Sequence, residues 1–147
     1  MVRYSGSEKE QLALSTFVKF LRAGETISTK VHRRLTDVKL TISQFGVLEA
    51  LYHLGPMCQK DIAGKILKST GNLTTVIDNL EKRDLVKRQR NKEDRRYFTV
   101  HLTDSGKELI GEIFPSHAGR IVDAMGNLTA AELKTLGALC KKVAGRI

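Results

Sequence analysis

Residues 59–103 read QKDIAGKILKSTGNLTTVIDNLEKRDLVKRQRNKEDRRYFTVHLT, and the order of patterns inside this stretch decides the fold. A first short helix is expected to bury Ile62, Ala63, Ile66 and Leu67. The linker Lys68, Ser69, Thr70, Gly71 is short enough to force a tight helix-turn-helix. Ser69 or Thr70 can cap the free N–H groups of the helix that follows. That second helix is apolar at Leu73, Val76, Ile77 and Leu80, the i, i+3, i+4, i+7 spacing of one buried stripe. Its other face carries Asn72, Thr74, Thr75, Asp78 and Asn79, short polar side chains able to reach base edges or phosphates. Beyond it, Leu85–Arg90 and Arg96–Leu102 are strand-like, the latter alternating Phe98, Val100 and Leu102 against Tyr97, Thr99 and His101. The polar run Asn91–Arg95 makes the turn between them. From Glu81 to Arg96 there are eight Lys/Arg and four Asp/Glu, so positive charge collects on a loop that must project into solvent.

Two short helices followed at once by a basic hairpin predict a winged helix-turn-helix. The second helix would lie in the major groove, with the wing's arginines on the flanking backbone or in the narrow groove. Taken singly, each part has a plainer explanation: an apolar-striped helix is usually a solvated amphipathic helix, and a charge run is usually a solvated face. Their order and close spacing are what favour nucleic acid.

Upstream, Thr41 to Gln44 form a capping box and Leu40 can staple onto Phe45. This helix buries Phe45, Leu48 and Leu51 and stops at Gly55-Pro56. Met57 and Cys58 are extended enough to lend a small strand to the wing. From Ser7 to Asp37 the pattern is helical, with Leu14, Phe17, Val18 and Leu21 on one stripe, and Ile27, Val31 and Leu35 resuming it beyond Gly24. Downstream, Thr103 starts a helix carrying Leu109, Ile110, Ile113 and Phe114, which Pro115 is expected to break or kink. The pattern resumes at Ile121, Val122 and Met125. A capping box from Thr129 to Glu132, with Leu128 stapling Leu133, launches the last helix.

These terminal helices hold more apolar surface than one small winged domain can cover. Pairing across a two-fold axis would bury it, with Leu14, Phe17, Leu21, Leu133, Leu136, Leu139 and Val143 as the seam, and would set two recognition helices one DNA turn apart, ~34 Å. The expected architecture is therefore mainly α with a small β-hairpin wing. Residues 1–40 form an N-terminal helical dimerisation segment, 41–102 the winged helix-turn-helix, and 103–147 the C-terminal helices that complete the dimerisation region.

The runs LTISQFGVLEAL, QKDIAGKILKSTGNLTTVIDNLEKRDLVKR and EDRRYFTVHLTDSGKEL resemble the MarR family of bacterial winged-helix regulators over about Leu40 to Leu109. The resemblance implies a homodimer that binds double-stranded DNA at a palindromic operator, acts as a repressor, and releases DNA on a small-molecule or redox signal, often a small aromatic or phenolic effector. It places Ser69 to Thr75 at the start of the recognition helix and Asp94, Arg95 and Arg96 in the wing motif. There Asp94 would brace one arginine by ion pairing while another enters the minor groove. Asn91 and Lys92 depart from the Asp-Pro often found at that turn. The full set of candidate DNA contacts is Gln59, Lys60, Lys68, Ser69, Thr70, Asn72, Thr74, Thr75, Asn79, Arg90, Lys92, Asp94, Arg95 and Arg96. A cleft between winged and helical parts could admit an apolar effector lined by His32, Phe45 and Leu48, with a packed core as the alternative.

At 147 residues, the chain suits one domain, or one small domain with an association region. A formal charge of +9 and a pI near 9.8 favour polyanionic partners. No apolar run approaches a membrane span and the N-terminus lacks the core of a secretory signal, so no membrane partner and a cytoplasmic location are expected. Cys58 and Cys140 are too few for a disulfide framework and lack metal-ligand partners at standard spacing, and no cofactor motif is present. Cys58 stands at a helix N-terminus, where the dipole favours a thiolate and a redox-sensing role is conceivable; a small buried cysteine is the plainer alternative. Catalysis is not expected. His53 and Cys58 could in principle pair, but no oxyanion-hole motif, phosphate loop or zinc signature accompanies them. The other competitor is a sequence-indifferent architectural or RNA-binding protein, because charge alone gives affinity for any polyanion. The polar helix face argues against it, as does the scarcity of aromatics for base stacking.

Overall fold

Three capping boxes set three of the helix starts. Ser7 with Glu10, Thr41 with Gln44, and Thr129 with Glu132 each exchange side-chain and backbone bonds, launching α1 (Glu8–His32), α2 (Ile42–Leu54) and α6 (Ala130–Val143). The computed structural model describes residues 4–66 and 70–145. A 3₁₀ turn (Leu35–Val38) follows α1. Between α2 and α6 come β1 (Met57–Cys58), α3 (Gln59–Ile66), α4 (Thr70–Lys82), β2 (Val86–Arg90), β3 (Phe98–Leu102) and α5 (Asp104–Ala124). The chain is mainly helical with one small antiparallel sheet, as the sequence predicts.

That sheet has the order β1-β3-β2. Met57 pairs with Val100 and Cys58 with Thr99, so the two-residue extension after Gly55-Pro56 does join the wing. β2 and β3 pair from Val86↔Leu102 to Arg90↔Phe98. The strands are shorter than the sequence suggests and the tip is longer, running from Asn91 to Tyr97. Asn91 explains this: its Oδ1 accepts the backbone N–H groups of Glu93 and Asp94, and its own N–H donates to the Tyr97 carbonyl at 2.9 Å. An Asx turn of this kind pulls two residues out of the ladder.

The chain forms two compact units. One comprises Arg34–Ser116, and the other the residues up to Arg33 together with those from His117 onward. The first unit has the one substantial core. Phe45, Val47, Leu48, Ile62, Leu73, Ile77, Leu80, Val86, Val100 and Ile110 are fully buried in it, joined by Leu35, Leu40, Leu51, Ala63 and Leu85. Leu35 and Leu40 upstream, and Leu109, Ile113 and Phe114 downstream, pack on this core. The winged unit therefore takes in more chain at both ends than 41–102. In the second unit, Val31 and His117 are the buried residues among those described, while Leu14, Phe17, Val18 and Leu21 lie exposed.

Two helices differ from the expectation, α1 in where it ends and α5 at Pro115. α1 runs unbroken through Gly24, because the ~1 kcal/mol cost of one glycine is small beside a capped helix of this length. It ends at His32 rather than near Asp37, with Leu35 committed to the winged core instead of extending the α1 stripe. α5 likewise continues through Pro115. The ring would crowd the carbonyl four residues back, at Gly111, and the proline is exposed, where water can satisfy the carbonyl its missing N–H leaves. Leu67, Lys68, Ser69 and the Thr70 side chain, including the expected cap of α4, lie outside the described residues. Among those described, no helix is long and apolar enough to cross a membrane.

Candidate nucleic-acid interface

The polar side of α4 divides into two edges. Thr74, Asp78 and Glu81 recur at i, i+4, i+7 and share one edge, whereas Asn72, Thr75 and Asn79 share another. The first edge is tied to the rest of the winged unit. Gln59 Nε2, at the start of α3, donates to Thr74 Oγ1 at 2.6 Å. Arg88, on β2, reaches Asp78 Oδ1 at 2.6 Å and Glu81 Oε2 at 2.7 Å. On the second edge Asn72, Thr75 and Asn79 are exposed, a short polar surface one helix wide.

The wing supplies the charge. At its tip Asp94 grips Arg96 through two parallel bonds, Nε to Oδ1 at 3.0 Å and Nη2 to Oδ2 at 2.9 Å, and Oδ1 also accepts the Arg96 backbone N–H at 3.0 Å. A fork-on-fork pair fixes the plane of the guanidinium as well as its position. Arg95 is exposed beside it, and Lys92 is exposed in the same loop. Arg90 closes β2 with its guanidinium carbon 5.5 Å from the centre of the Phe98 ring, its cross-strand partner. Lys60 is exposed on the first turn of α3.

The Arg96 bonds hold the Asp94 carboxyl below its ordinary value, side-chain contribution first and backbone N–H second. The folded wing therefore takes up that proton less readily than the unfolded chain. The contribution of the pair is fully present above the usual Asp value of about 4 and is lost as pH falls through the lowered value. Between pH 8 and 5 the tip should stay locked, and any wing-dependent DNA affinity should not change on this account. Asp94→Asn should free Arg96 at every pH and weaken binding, measured by fluorescence anisotropy on labelled duplex.

The other expected positions fall as follows. Cys58 ends β1, half-buried, and its thiol donates to Asp61 Oδ2 at 3.1 Å, so the side chain bonds forward into α3 rather than capping it with an acceptor. A cavity of about 220 Å³ lies between the start of α3 and the wing, lined by Cys58, Lys60, Arg88, Arg96, Tyr97 and Phe98 among others. Phe45 and Leu48 do not line an effector cleft: both are closed inside the core of the winged unit. His32 belongs to the other unit, with Nδ1 2.9 Å from the Ser28 carbonyl and its ring centre 5.7 Å from that of His117. Burial, with His32 and Arg120 nearby, pushes the His117 imidazole toward its neutral form. Of the residues expected at a dimer seam, Leu14, Phe17, Leu21, Leu133, Leu139 and Val143 are exposed and Leu136 is half-buried. Among the described residues, no cluster of three or more His, Cys, Asp or Glu side chains could hold a metal ion.

The sequence reading missed Arg88 and its two carboxylates, and also Arg83, whose guanidinium donates to the carbonyls of Lys39 at 2.6 Å and Val38 at 3.3 Å. The available signal for Arg88 was strand alternation, which puts it on the same face as the buried Val86 and toward α4.

A polar helix presented next to an arginine-tipped hairpin, on a three-helix core, defines a winged helix-turn-helix of the DNA-binding kind. The MarR family pattern matches residues 40–98. The HTH-type transcriptional regulator YkoM of Bacillus subtilis is 36% identical over 143 residues, covering 97% of this chain and 93% of that protein. The chain therefore belongs to the MarR family of transcriptional regulators. Among solved structures, a MarR family regulator from Streptomyces coelicolor in complex with DNA superposes with a TM-score of 0.81 at 23% identity, covering 97% of this chain and 90% of that one. BpsR of Bordetella bronchiseptica, described with a mechanism by which 6-hydroxynicotinic acid regulates its DNA binding, gives 0.78 at 28% identity, covering 88% and 98%.

Proposed function

We propose that this protein is a cytoplasmic, sequence-specific regulator that binds double-stranded DNA as a homodimer on a palindromic operator and represses transcription from it. The observation that carries the reading is the division of labour on the winged unit. One edge of α4 bonds to Gln59 and Arg88, the exposed Asn72, Thr75 and Asn79 share another edge, and an arginine pair stands at the tip of the adjoining wing. Base reading belongs to the first three, together with Thr74 at the margin. Backbone and minor-groove contact belong to Arg95, Arg96, Arg90, Lys92 and Lys60. Arg96 is the braced arginine, and Arg95 the one directed at the groove.

The test is binding to palindromes selected from the source genome and to scrambled duplex across a salt series. A regulator should prefer the selected site on the order of a thousandfold or more. Arg95→Ala should weaken binding to every duplex and reduce the salt slope by about one unit. Thr75→Ala or Asn72→Ala should instead change which bases are preferred, by about 1 to 3 kcal/mol for each bidentate hydrogen-bond pair removed. A preference near unity for the intact protein would mark it as a sequence-indifferent architectural binder.

For release, the cavity between α3 and the wing is a candidate place for a small aromatic ligand, since Tyr97 and Phe98 line it together with Lys60. Any such ligand must bind the DNA-free state more tightly than the DNA-bound one.

A further inference from the structure

Two carboxylates on a helix that must lie against a polyanion need an explanation. Asp78 and Glu81 stand one turn apart on α4, and both end on a single guanidinium, that of Arg88, at 2.6 and 2.7 Å. Arg88 is half-buried, two residues along β2 from the fully buried Val86 and paired across the ladder with the fully buried Val100. Its backbone is therefore fixed by the sheet, and its side chain is the polar connection from the wing's first strand to the recognition helix. A planar guanidinium holding two carboxylates fixes the plane in which both lie, and a lysine ammonium imposes no such plane.

Near its start α4 is also tied by the Gln59–Thr74 bond at 2.6 Å, but along the rest of its length the apolar contacts of Leu73, Ile77 and Leu80 are non-directional and leave the far turns some roll about the helix axis. Successive residues stand 100° apart around that axis. A small roll would thus move Asn72, Thr75 and Asn79 relative to Arg95 at the wing tip.

We propose that Arg88 is a positioning residue for base recognition. By clamping Asp78 and Glu81, it sets the rotation of α4 relative to the wing, so that the helix's base-reading side chains and the wing's arginine meet one duplex in a single register. It also offsets one of the two negative charges that would otherwise repel the phosphates nearby. The proposal rests on the reading of α4 and the wing as the DNA-binding surface.

The experiment uses the full-length chain and compares Arg88→Met, Arg88→Lys and the double variant Asp78→Asn/Glu81→Gln. Each is assayed for affinity to a selected operator and to scrambled duplex across a salt series, and for its hydroxyl-radical footprint on the operator, at a temperature where circular dichroism shows it folded. If Arg88 positions α4, Arg88→Met should lose preference for the operator by roughly tenfold or more, the scale of one bidentate base interaction. Its wing footprint should weaken or spread. The carboxylate-side variant should show the same loss although it removes two negative charges, and the triple variant Arg88→Met/Asp78→Asn/Glu81→Gln, added to the comparison, should lose no more than either alone. Arg88→Lys should recover only part of the preference.

Two outcomes overturn the proposal. If operator and scrambled affinities fall together in Arg88→Met, with the salt slope lower by about one, Arg88 is a phosphate contact. If the double variant keeps or improves the preference, the clamp does not position anything. Should Arg88→Met fail to fold, the double variant and Arg88→Lys decide between the same outcomes. Failure of the DNA-binding reading is separate, because it appears as an absence of operator preference in the unmutated protein.

Discussion

Gly106→Ala should be the most destabilising small substitution in the winged unit, lowering stability by about 3 kcal/mol or more. A Cβ built on Gly106 would lie 2.0 Å from the Leu85 carbonyl oxygen and 3.2 Å from Leu102 Cδ2. The first obstacle is backbone, and it cannot rotate away. That carbonyl already accepts the Thr103 N–H at 3.2 Å, while the Thr103 hydroxyl donates to the Asp84 carbonyl and accepts the Gly106 N–H at 3.0 Å. These bonds stitch the turn that closes α4 to the point where β3 passes into α5. Asp84, with φ at 55°, already holds a left-handed conformation there. Moving Leu85 to admit a methyl group would disturb Val86 beside it in the core and with it the root of the wing. Thermal unfolding should show a fall in Tm of roughly 10 °C or more. Gly24→Ala offers the matching control, since nothing lies within 4 Å of its Cβ position, and a mid-helix alanine should stabilise by about 1 kcal/mol. Equal effects from the two substitutions would show that the close approach at Leu85 is not tightly packed in solution.

Features specified by neighbours in sequence were legible. The boxes at Thr41 and Thr129 need only residues three apart, and each was readable from its own tetrapeptide. The α4 stripe and the Gly55-Pro56 stop are equally local. What escaped was mostly the pairing of side chains distant in the chain, although the strand that Met57 and Cys58 lend to the wing was legible. Arg88 looked like one more charge in a basic run, because its role depends on which strand face points toward α4 and on how far along that helix Asp78 and Glu81 fall. Thr74 and Asp78 looked equivalent to Asn72 and Thr75 for the same reason, since a helical wheel gives angles but not neighbours. Phe45 and Leu48 were plausible as cleft lining because aromatic and aliphatic residues read alike whether they face a ligand or a core. Pro115 misled in the opposite direction: a local propensity cost of about 3 kcal/mol was overridden by the long helix around it. Among the candidate DNA contacts, the structure shows Gln59 bonded to Thr74 and Asp94 to Arg96, pairings that a residue set chosen from pattern alone does not display.

Replacing Phe17 and Leu21 together by glutamate should abolish dimerisation and lower affinity for a full palindrome by a factor on the order of 10² to 10⁴. In the single chain Leu14, Phe17 and Leu21 are 49%, 57% and 51% exposed on one side of α1, and Leu12 and Phe20 are exposed on another. α6 has no buried residue at all, with Leu139 and Val143 exposed. A helix pair with so little of its own core is stable only if something covers it. Each large side chain buried there contributes roughly 1.5 to 3 kcal/mol, and in a two-fold interface every contact is made twice. Two glutamates per chain would instead place four like charges near the symmetry axis. The expected DNA effect comes from linkage. A dimer bound at one half-site presents its second winged unit to the other half-site at high effective concentration, and a monomer does not. The variant should therefore bind an isolated half-site as the unmutated winged unit does while failing to gain from the second half-site. Light scattering after size exclusion gives the oligomeric state, and anisotropy on half-site and full-site duplexes gives the two affinities. A variant that stays dimeric, or a monomeric one that still gains affinity from the second half-site, would remove α1 from the interface and leave the palindrome without its structural basis.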